Sequence, residues 1–320
     1  MKGTVYGSQG GVYLTRLDSG EFCDASLRGR LKQEVRTGDR VVIGDRVEVA
    51  TRKDGTATIE SVHDRRSQII RKGPGGRRPK VVAANVDRLV VVASATRPEP
   101  RQLLLDRLLV IGESNDLDPV LVMNKIDLVA SGSPEVSQGP EAELPIHSRL
   151  LRLYRGIGYH VLETSALTGE GMSELESVLC SGTSALLGPS GVGKSTLLNT
   201  VQPGLGLRTG ELSHKKGRGR HTTVSARLIP MECGGLVADT PGFSDVGVWG
   251  VDQRDLEGCF PDFHPFRGEC QFRGCTHLHE PNCGVQAALA RAEIDPSRFE
   301  SYRSLVQEGP GPSPGAPHGS

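Results

Sequence analysis

The chain has 320 residues, 36% of them hydrophobic, which gives room for two to three domains with buried cores. No apolar run approaches the ~18 residues of a membrane helix, and the opening "MKGTVYGSQGG" has no apolar segment of the kind a secretory signal needs. Membrane and secreted classes are therefore excluded as expectations, and a cytoplasmic protein is expected. Formal net charge is zero, but residues 1–80 hold 17 Lys+Arg against 10 Asp+Glu, so the neutral total does not exclude a nucleic-acid partner.

Residues 1–66 read as short strands: "GGVYLTRL", "EFCDASL", "RVVIGDRVEVAT" and "ATIESVHD" are β-rich and partly alternating, with Gly-Asp turns between them. Four or five such strands fit a small barrel, and an OB-fold and an SH3-like barrel both satisfy the pattern. Residues 67–84 contain "GPGGRRP". From Arg65 to Lys80 there are seven basic residues and no acidic one, which predicts a basic linker. Over 85–248, apolar strands ("DRLVVVAS", "DPVLVMNK", "GYHVLETSA", "TSALLG", "GLVADT") alternate with helical spacing such as "RQLLLDRLLVIGES". That alternation predicts a doubly wound, mainly parallel sheet with its sites at the strand carboxyl ends. Residues 131–145 are a polar loop. Residues 249–308 change to Cys, His and Phe in loops, followed by two helices. The tail 309–320 is rich in Gly, Pro and Ser and is expected to be disordered.

Four motifs carry chemistry. "GPSGVGKST" (Gly188, Pro189, Ser190, Gly191, Val192, Gly193, Lys194, Ser195, Thr196) fits the phosphate-binding loop G-x-x-x-x-G-K-[ST] and lies between an apolar strand and a helix, as that motif requires. Its amides would close around phosphates, with Lys194 reaching the β- and γ-phosphates and the Ser195 hydroxyl on Mg²⁺. "DTPG" (Asp239 to Gly242) alone is an ordinary turn. About fifty residues after a P-loop it reads as the Mg²⁺-side Asp239 and a γ-phosphate amide at Gly242. "NKID" supplies the base reader: Asn124 orients the loop, Lys125 lies along the base, and the Asp127 carboxylate accepts from guanine N1–H and the N2 amino group. Adenine lacks that donor pair and would leave the carboxylate unpaired. "TSA" (Thr164, Ser165, Ala166) follows the next strand and offers an amide to guanine O6.

The guanine elements precede the phosphate elements, the reverse of the usual order, so the domain is read as circularly permuted, with 167–182 as the join. By position, "GELSHKKGRGRHTTV" (210–224) is the first switch. Thr223 is the favoured Mg²⁺ ligand, with Thr222 as the alternative. Phe243 follows "DTPG", where many GTPases have a water-orienting Gln; His221 is the candidate within reach by sequence. "CQFRGCTHLHEPNC" spaces Cys270, Cys275, His277 and Cys283 as a closed tetrahedral Zn²⁺ set, structural rather than catalytic. With seven cysteines, an odd number, and three of them in this cluster, a reducing compartment is expected rather than a disulfide framework.

The rotated order, the leading barrel, "GPSGVGKST", "GLRTGELS", "GRGRHTT", "DTPGF" and C-x4-C-x-H-x5-C together resemble the ribosome small-subunit-dependent GTPase A family (RsgA, YjeQ-type) over residues 1–308. Val224 departs from that family's usual third Thr. The resemblance implies an OB-fold (1–66), a circularly permuted GTPase (85–248) and a zinc-binding domain (249–308). It implies an Mg²⁺-dependent GTP hydrolase that acts in late maturation of the small ribosomal subunit, with GTP/GDP, the subunit and its rRNA as partners. No membrane partner is expected, and the chain is expected to be monomeric. The alternative is a nucleotide-switched nucleic-acid-binding or signalling module away from the ribosome.

Overall fold

The computed structural model describes residues 1–29, 31, 41–51, 56–71, 80–130, 144–207, 226–239 and 255–308. Five strands, β1 (Lys2–Gln9), β2 (Val12–Leu17), β3 (Phe22–Leu27), β4 (Arg46–Thr51) and β5 (Ala57–Val62), close a barrel in the order β1-β2-β3-β5-β4-β1. The β3–β5 pair is parallel and every other pair in the barrel is antiparallel, which is the OB arrangement and settles the choice between the two barrels. Inward-facing Val5, Tyr13, Ala25, Val47, Val49 and Ile59 fill it. β1 escapes the strand pattern because Gly3 and Gly7 interrupt its apolar alternation. Gly3 is needed there, since a Cβ would lie 2.7 Å from the Arg16 carbonyl oxygen.

The 67–84 segment, expected as a linker, holds a hairpin: β6 (Gln68–Arg71) pairs antiparallel with β7 (Lys80–Ala84), and Ile69 and Ala83 are fully buried. The basic charge masked the apolar residues that seat it. Gly44 (φ +85) permits the barrel's close approach, because a Cβ there would meet the Ala84 carbonyl oxygen at 1.9 Å. Beside it, the buried Asp45 carboxylate accepts from Arg65 Nε at 2.7 Å and Arg65 Nη2 at 3.0 Å.

The main sheet continues with β8 (Arg88–Ser94), β9 (Asp118–Asn124), β10 (His160–Thr164), β11 (Thr183–Leu187), β12 (Arg227–Pro230) and β13 (Leu236–Asp239), in the order β10-β9-β8-β11-β13-β12. The first five are mutually parallel and β12 is antiparallel to β13. β12 also pairs with β1, through Gly7 and Arg227, so barrel and domain share one eleven-stranded sheet. Near-continuous apolar strands such as "LVVVA" have cores on both faces, as parallel sheets require. The helix Met172–Cys180 occupies the expected join and leads into β11.

The C-terminal residues build a third core of Phe260, Phe263, Val285, Tyr302 and Leu305, which Val110 of the helix Gln102–Glu113 joins. Arg298, 1% exposed, ties the two together. It donates to Asp106 Oδ1 at 2.5 Å and Asp262 Oδ1 at 2.7 Å and stacks over Phe260.

One bridge lies outside the expectation of a metal site rather than a disulfide framework. Cys180 and Cys233 form a disulfide, with Cα atoms 5.4 Å apart. Their 53-residue separation carries no motif; the β11–β13 pairing is what brings them together. Cys23, Cys259, Cys270, Cys275 and Cys283 are free thiols.

Candidate functional site

The carboxyl ends of four parallel strands gather the predicted nucleotide residues. β11 ends at the P-loop, β9 at Asn124, β10 at Thr164 and β13 at Asp239. Gly188 (φ +146) lets the P-loop cross β8, where a Cβ would meet the Val92 carbonyl oxygen at 2.1 Å. Gly193 (φ +101) opens the helix Lys194–Val201 and lies so close to Asn124 that a Cβ would meet its Nδ2 at 2.4 Å. Side-chain volume would push the loop off β8 at Gly188 and away from Asn124 at Gly193.

The two loops are bonded directly. Asn124 Nδ2 donates to the Val192 carbonyl at 2.8 Å, and its Oδ1 accepts from Thr164 Oγ1 at 3.3 Å. Lys125, with φ +64, turns its ammonium onto the carbonyls of Gly191 (2.5 Å) and Arg97 (2.6 Å). Burial lowers its pKa, and the Asp127 charge works the other way. Ser165 Oγ donates to Asp127 Oδ1 at 2.6 Å and accepts from the Leu167 and Thr168 amides. Asn124, Thr164 and Ser165 are buried, and Asp127 and Ala166 are half-buried. The two loops expected to read a base are thus bonded to each other, and Ser165 holds the Asp127 carboxylate.

Lys194 is 6% exposed, and its Nζ donates to the Gly188 carbonyl at 2.7 Å and the Pro189 carbonyl at 3.0 Å. Burial pushes its pKa down to about 8, while the nearby Asp239 charge pulls it back up. Ser195 is buried in the first turn of the same helix, whereas Ser190, Gly191 and Thr196 lie at the surface. Asp239 Oδ2 accepts from Arg227 Nε at 3.2 Å across the β12–β13 pair. A hydroxyl and a carboxylate set at the edge of a phosphate loop are the hard oxygen donors Mg²⁺ takes, so Ser195 and Asp239 fit that ion. Gly242, Phe243, His221, Thr222 and Thr223 lie outside the described residues.

A second cluster lies in the C-terminal core. The ligand atoms of Cys270, Cys275, His277 and Cys283 all fall within 4.8 Å of one another. His277 Nδ1 is 3.2 Å from Cys283 Sγ and 3.6 Å from Cys270 Sγ, and the Cys270 and Cys283 sulfurs are 3.9 Å apart. Tetrahedral Zn²⁺ with ~2.3 Å zinc–sulfur bonds needs ligand spacings of about 3.8 Å, so the set fits. Burial, with the neighbouring Cys283 and Cys270 sulfurs, pushes the Cys275 thiol up to about 12, and burial likewise raises Cys283. His277, with φ +60, turns its other nitrogen to Glu257 Oε2 at 2.6 Å, which fixes the tautomer that would present Nδ1 to a metal. Burial works against ionised Glu280, yet bonds from the Thr276 hydroxyl and from the Thr276, Glu280 and His279 amides hold it down to about 2, and the Leu278 amide also donates to it. Cys259 packs in the surrounding core, and the His264 ring bonds the Gly258 carbonyl.

Sequence reasoning missed Glu257, Arg227, Arg298 and the Arg97 carbonyl. Each acts through a contact distant in sequence or through backbone, and none belongs to a spacing motif.

A model of the RsgA GTPase family matches residues 62–249. The chain is similar to the small ribosomal subunit biogenesis GTPase RsgA of Gemmatimonas aurantiaca, with 43% identity over 309 residues that cover 96% of each chain. To the protein of the same name from Moorella thermoacetica it is 40% identical, over 96% of this chain and 97% of the relative. Its fold matches YjeQ from Thermotoga maritima with a TM-score of 0.77 at 32% identity, covering 96% of this chain and 97% of that one. YloQ, a circularly permuted GTPase, matches with a TM-score of 0.70 at 28% identity, over 96% and 94%.

Proposed function

The chain belongs to the RsgA GTPase family, and on that premise we propose that it hydrolyses GTP in the biogenesis of the small ribosomal subunit. The observation that carries the site assignment is the Asn124 to Val192 hydrogen bond, which makes the base loop and the phosphate loop one rigid receptor. Asp127 reads guanine N1–H and N2, the Ser165–Ala166 segment meets O6, and the P-loop amides and Lys194 hold the phosphates. Lys194 already points its ammonium into the loop, so it exchanges two carbonyls for phosphate oxygens with little reorganisation. Ser195 and Asp239 would hold Mg²⁺, joined by Thr223 or Thr222. Mg²⁺ bound there neutralises charge on the phosphate oxygens.

The water is the remaining problem. Phe243 cannot orient it, so we assign that role to His221, which docking of the basic segment 210–224 on rRNA would bring to the water. GTP favours the docked state and hydrolysis releases the protein, which acts as a cytoplasmic monomer. The cysteine–histidine cluster carries one structural Zn²⁺, and the barrel with the basic hairpin beside it faces rRNA. Among the described residues no helix is long and apolar enough to cross a membrane.

The test is GTP turnover with purified small subunits, large subunits or bare rRNA. Stimulation by small subunits well above the other two is expected. Equal stimulation by bare rRNA would favour a general nucleic-acid switch instead.

A further inference from the structure

We propose that Cys180 and Cys233 are a reversible thiol–disulfide site that fastens the β12–β13 turn to the end of the helix ahead of the P-loop strand when conditions turn oxidising. The starting point is chemical context. In a reducing compartment, bridges between protein thiols are typically transient and redox-sensing rather than structural. That step rests on the cytoplasmic role proposed above.

The fold positions the pair without needing the bond. Cys180 ends the helix that leads into β11, and Cys233 lies in the turn between β12 and β13. Each stands three residues ahead of a registered pair, Thr183 with Leu236. The Leu236 amide donates to the Gly182 carbonyl at 2.9 Å, and the turn closes through Met231 N to Gly235 O at 2.8 Å. Gly235 presses on the helix end so closely that a Cβ would meet the Leu179 carbonyl oxygen at 2.0 Å. Backbone contacts therefore hold the two Cα atoms at bonding range whether or not the sulfurs are joined. Cys233 is exposed and Cys180 half-buried, so a small disulfide can reach the first and the second can then resolve it.

With glutathione disulfide as oxidant, the Cys233 thiolate attacks one of its sulfurs, and its S–S bond breaks to release a glutathione thiolate. The Cys180 thiolate then attacks the mixed disulfide at the Cys233 sulfur and expels the second glutathione thiolate. Two protein thiols lose two electrons and two protons, and glutathione disulfide takes them up as two thiols. The target is a hairpin that carries Asp239 at one end and pairs with barrel strand β1 through Arg227. Closing the bridge restrains the connection between the barrel and the magnesium side of the nucleotide site.

The test uses the full zinc-loaded chain, equilibrated in buffers of rising glutathione disulfide to glutathione ratio, acid-quenched, alkylated and read by peptide mass. The Cys180 and Cys233 peptides should pass from separately alkylated to linked within that series while zinc stays bound. Hydrogen exchange at Met231 and Leu236 should slow by at least about threefold on linking. Cys233→Ser should remain folded and keep the faster exchange in every buffer. A pair that stays linked in glutathione alone, never links, or links without slowing exchange overturns the proposal. GTP turnover is measured on the same samples; its absence in both states counts against the hydrolase reading and leaves the redox result standing.

Discussion

Asn124 donates its side-chain amide to the carbonyl of Val192, 68 residues further along the chain, at 2.8 Å. Replacing it with alanine leaves a buried carbonyl and the Thr164 hydroxyl short of a partner, a cost of about 1–3 kcal/mol. Asn124→Ala should weaken GTP binding roughly 10- to 100-fold without changing the circular dichroism spectrum. Unaltered affinity by calorimetric titration would mean that the two loops do not cooperate.

Asp127→Asn should erase the preference for guanine over adenine nucleotides, because it replaces one acceptor oxygen with a donor. The Ser165 hydroxyl still has an oxygen to bond, so the loop should hold its shape. Competition between GTP and ATP for the variant is the measurement, and a retained GTP preference would remove Asp127 as base reader.

Lys194 gives a pH signature. Its folded value of about 8 lies below the unfolded ~10.4, so between those pH values the unfolded chain binds more protons and stability rises with pH. GTP binding runs the other way: phosphates need the ammonium, so affinity should fall and proton uptake should appear as pH climbs through 8. Lys194→Met should bind GTP poorly and flatten both trends. Denaturant titrations and calorimetry in buffers of different ionisation enthalpy, from pH 7.5 to 10, would read them.

Freshly purified protein should contain close to one equivalent of zinc, lost on Cys270→Ala. Glu257→Gln should loosen zinc about 10- to 100-fold while leaving all four ligands in place, because the amide orients His277 less firmly. Competition with a chromophoric chelator measures this. Chelation should melt the C-terminal core before it alters nucleotide affinity.

His221→Ala should lose most small-subunit-stimulated turnover, on the order of 10²- to 10⁴-fold, while keeping GTP binding and docking. Surviving stimulation would assign the water to another group and leave the GTPase assignment intact.

The motifs were legible because their chemistry is local. A phosphate loop needs glycines at fixed offsets, and Gly188 and Gly193 show why through the atoms a Cβ would strike. The parallel strands were legible because burial on both faces leaves an unbroken apolar run. What escaped was non-local or weakly patterned. Strand β12 is four residues with a proline, and the helix Ile146–Ile157 follows a polar stretch of sequence against which its apolar stripe is short. The Arg298–Asp106 pair spans 192 residues, and the Cys180–Cys233 bond spans 53, so neither leaves a spacing to read.

The strand order also sets a timetable for synthesis. The barrel can close once β5 has emerged, and β8, β9 and β10 can pair soon afterwards. The other edge of β8 must then wait for β11, about ninety residues later, and the free side of β1 for β12, more than two hundred residues later. A growing chain therefore carries Asn124 and Thr164 at their strand ends well before the Gly188–Ser195 loop exists. Nucleotide capture comes only when β11 and β13 have left the ribosome, so a truncated chain should expose open sheet edges and bind no GTP, marking it for degradation rather than for work.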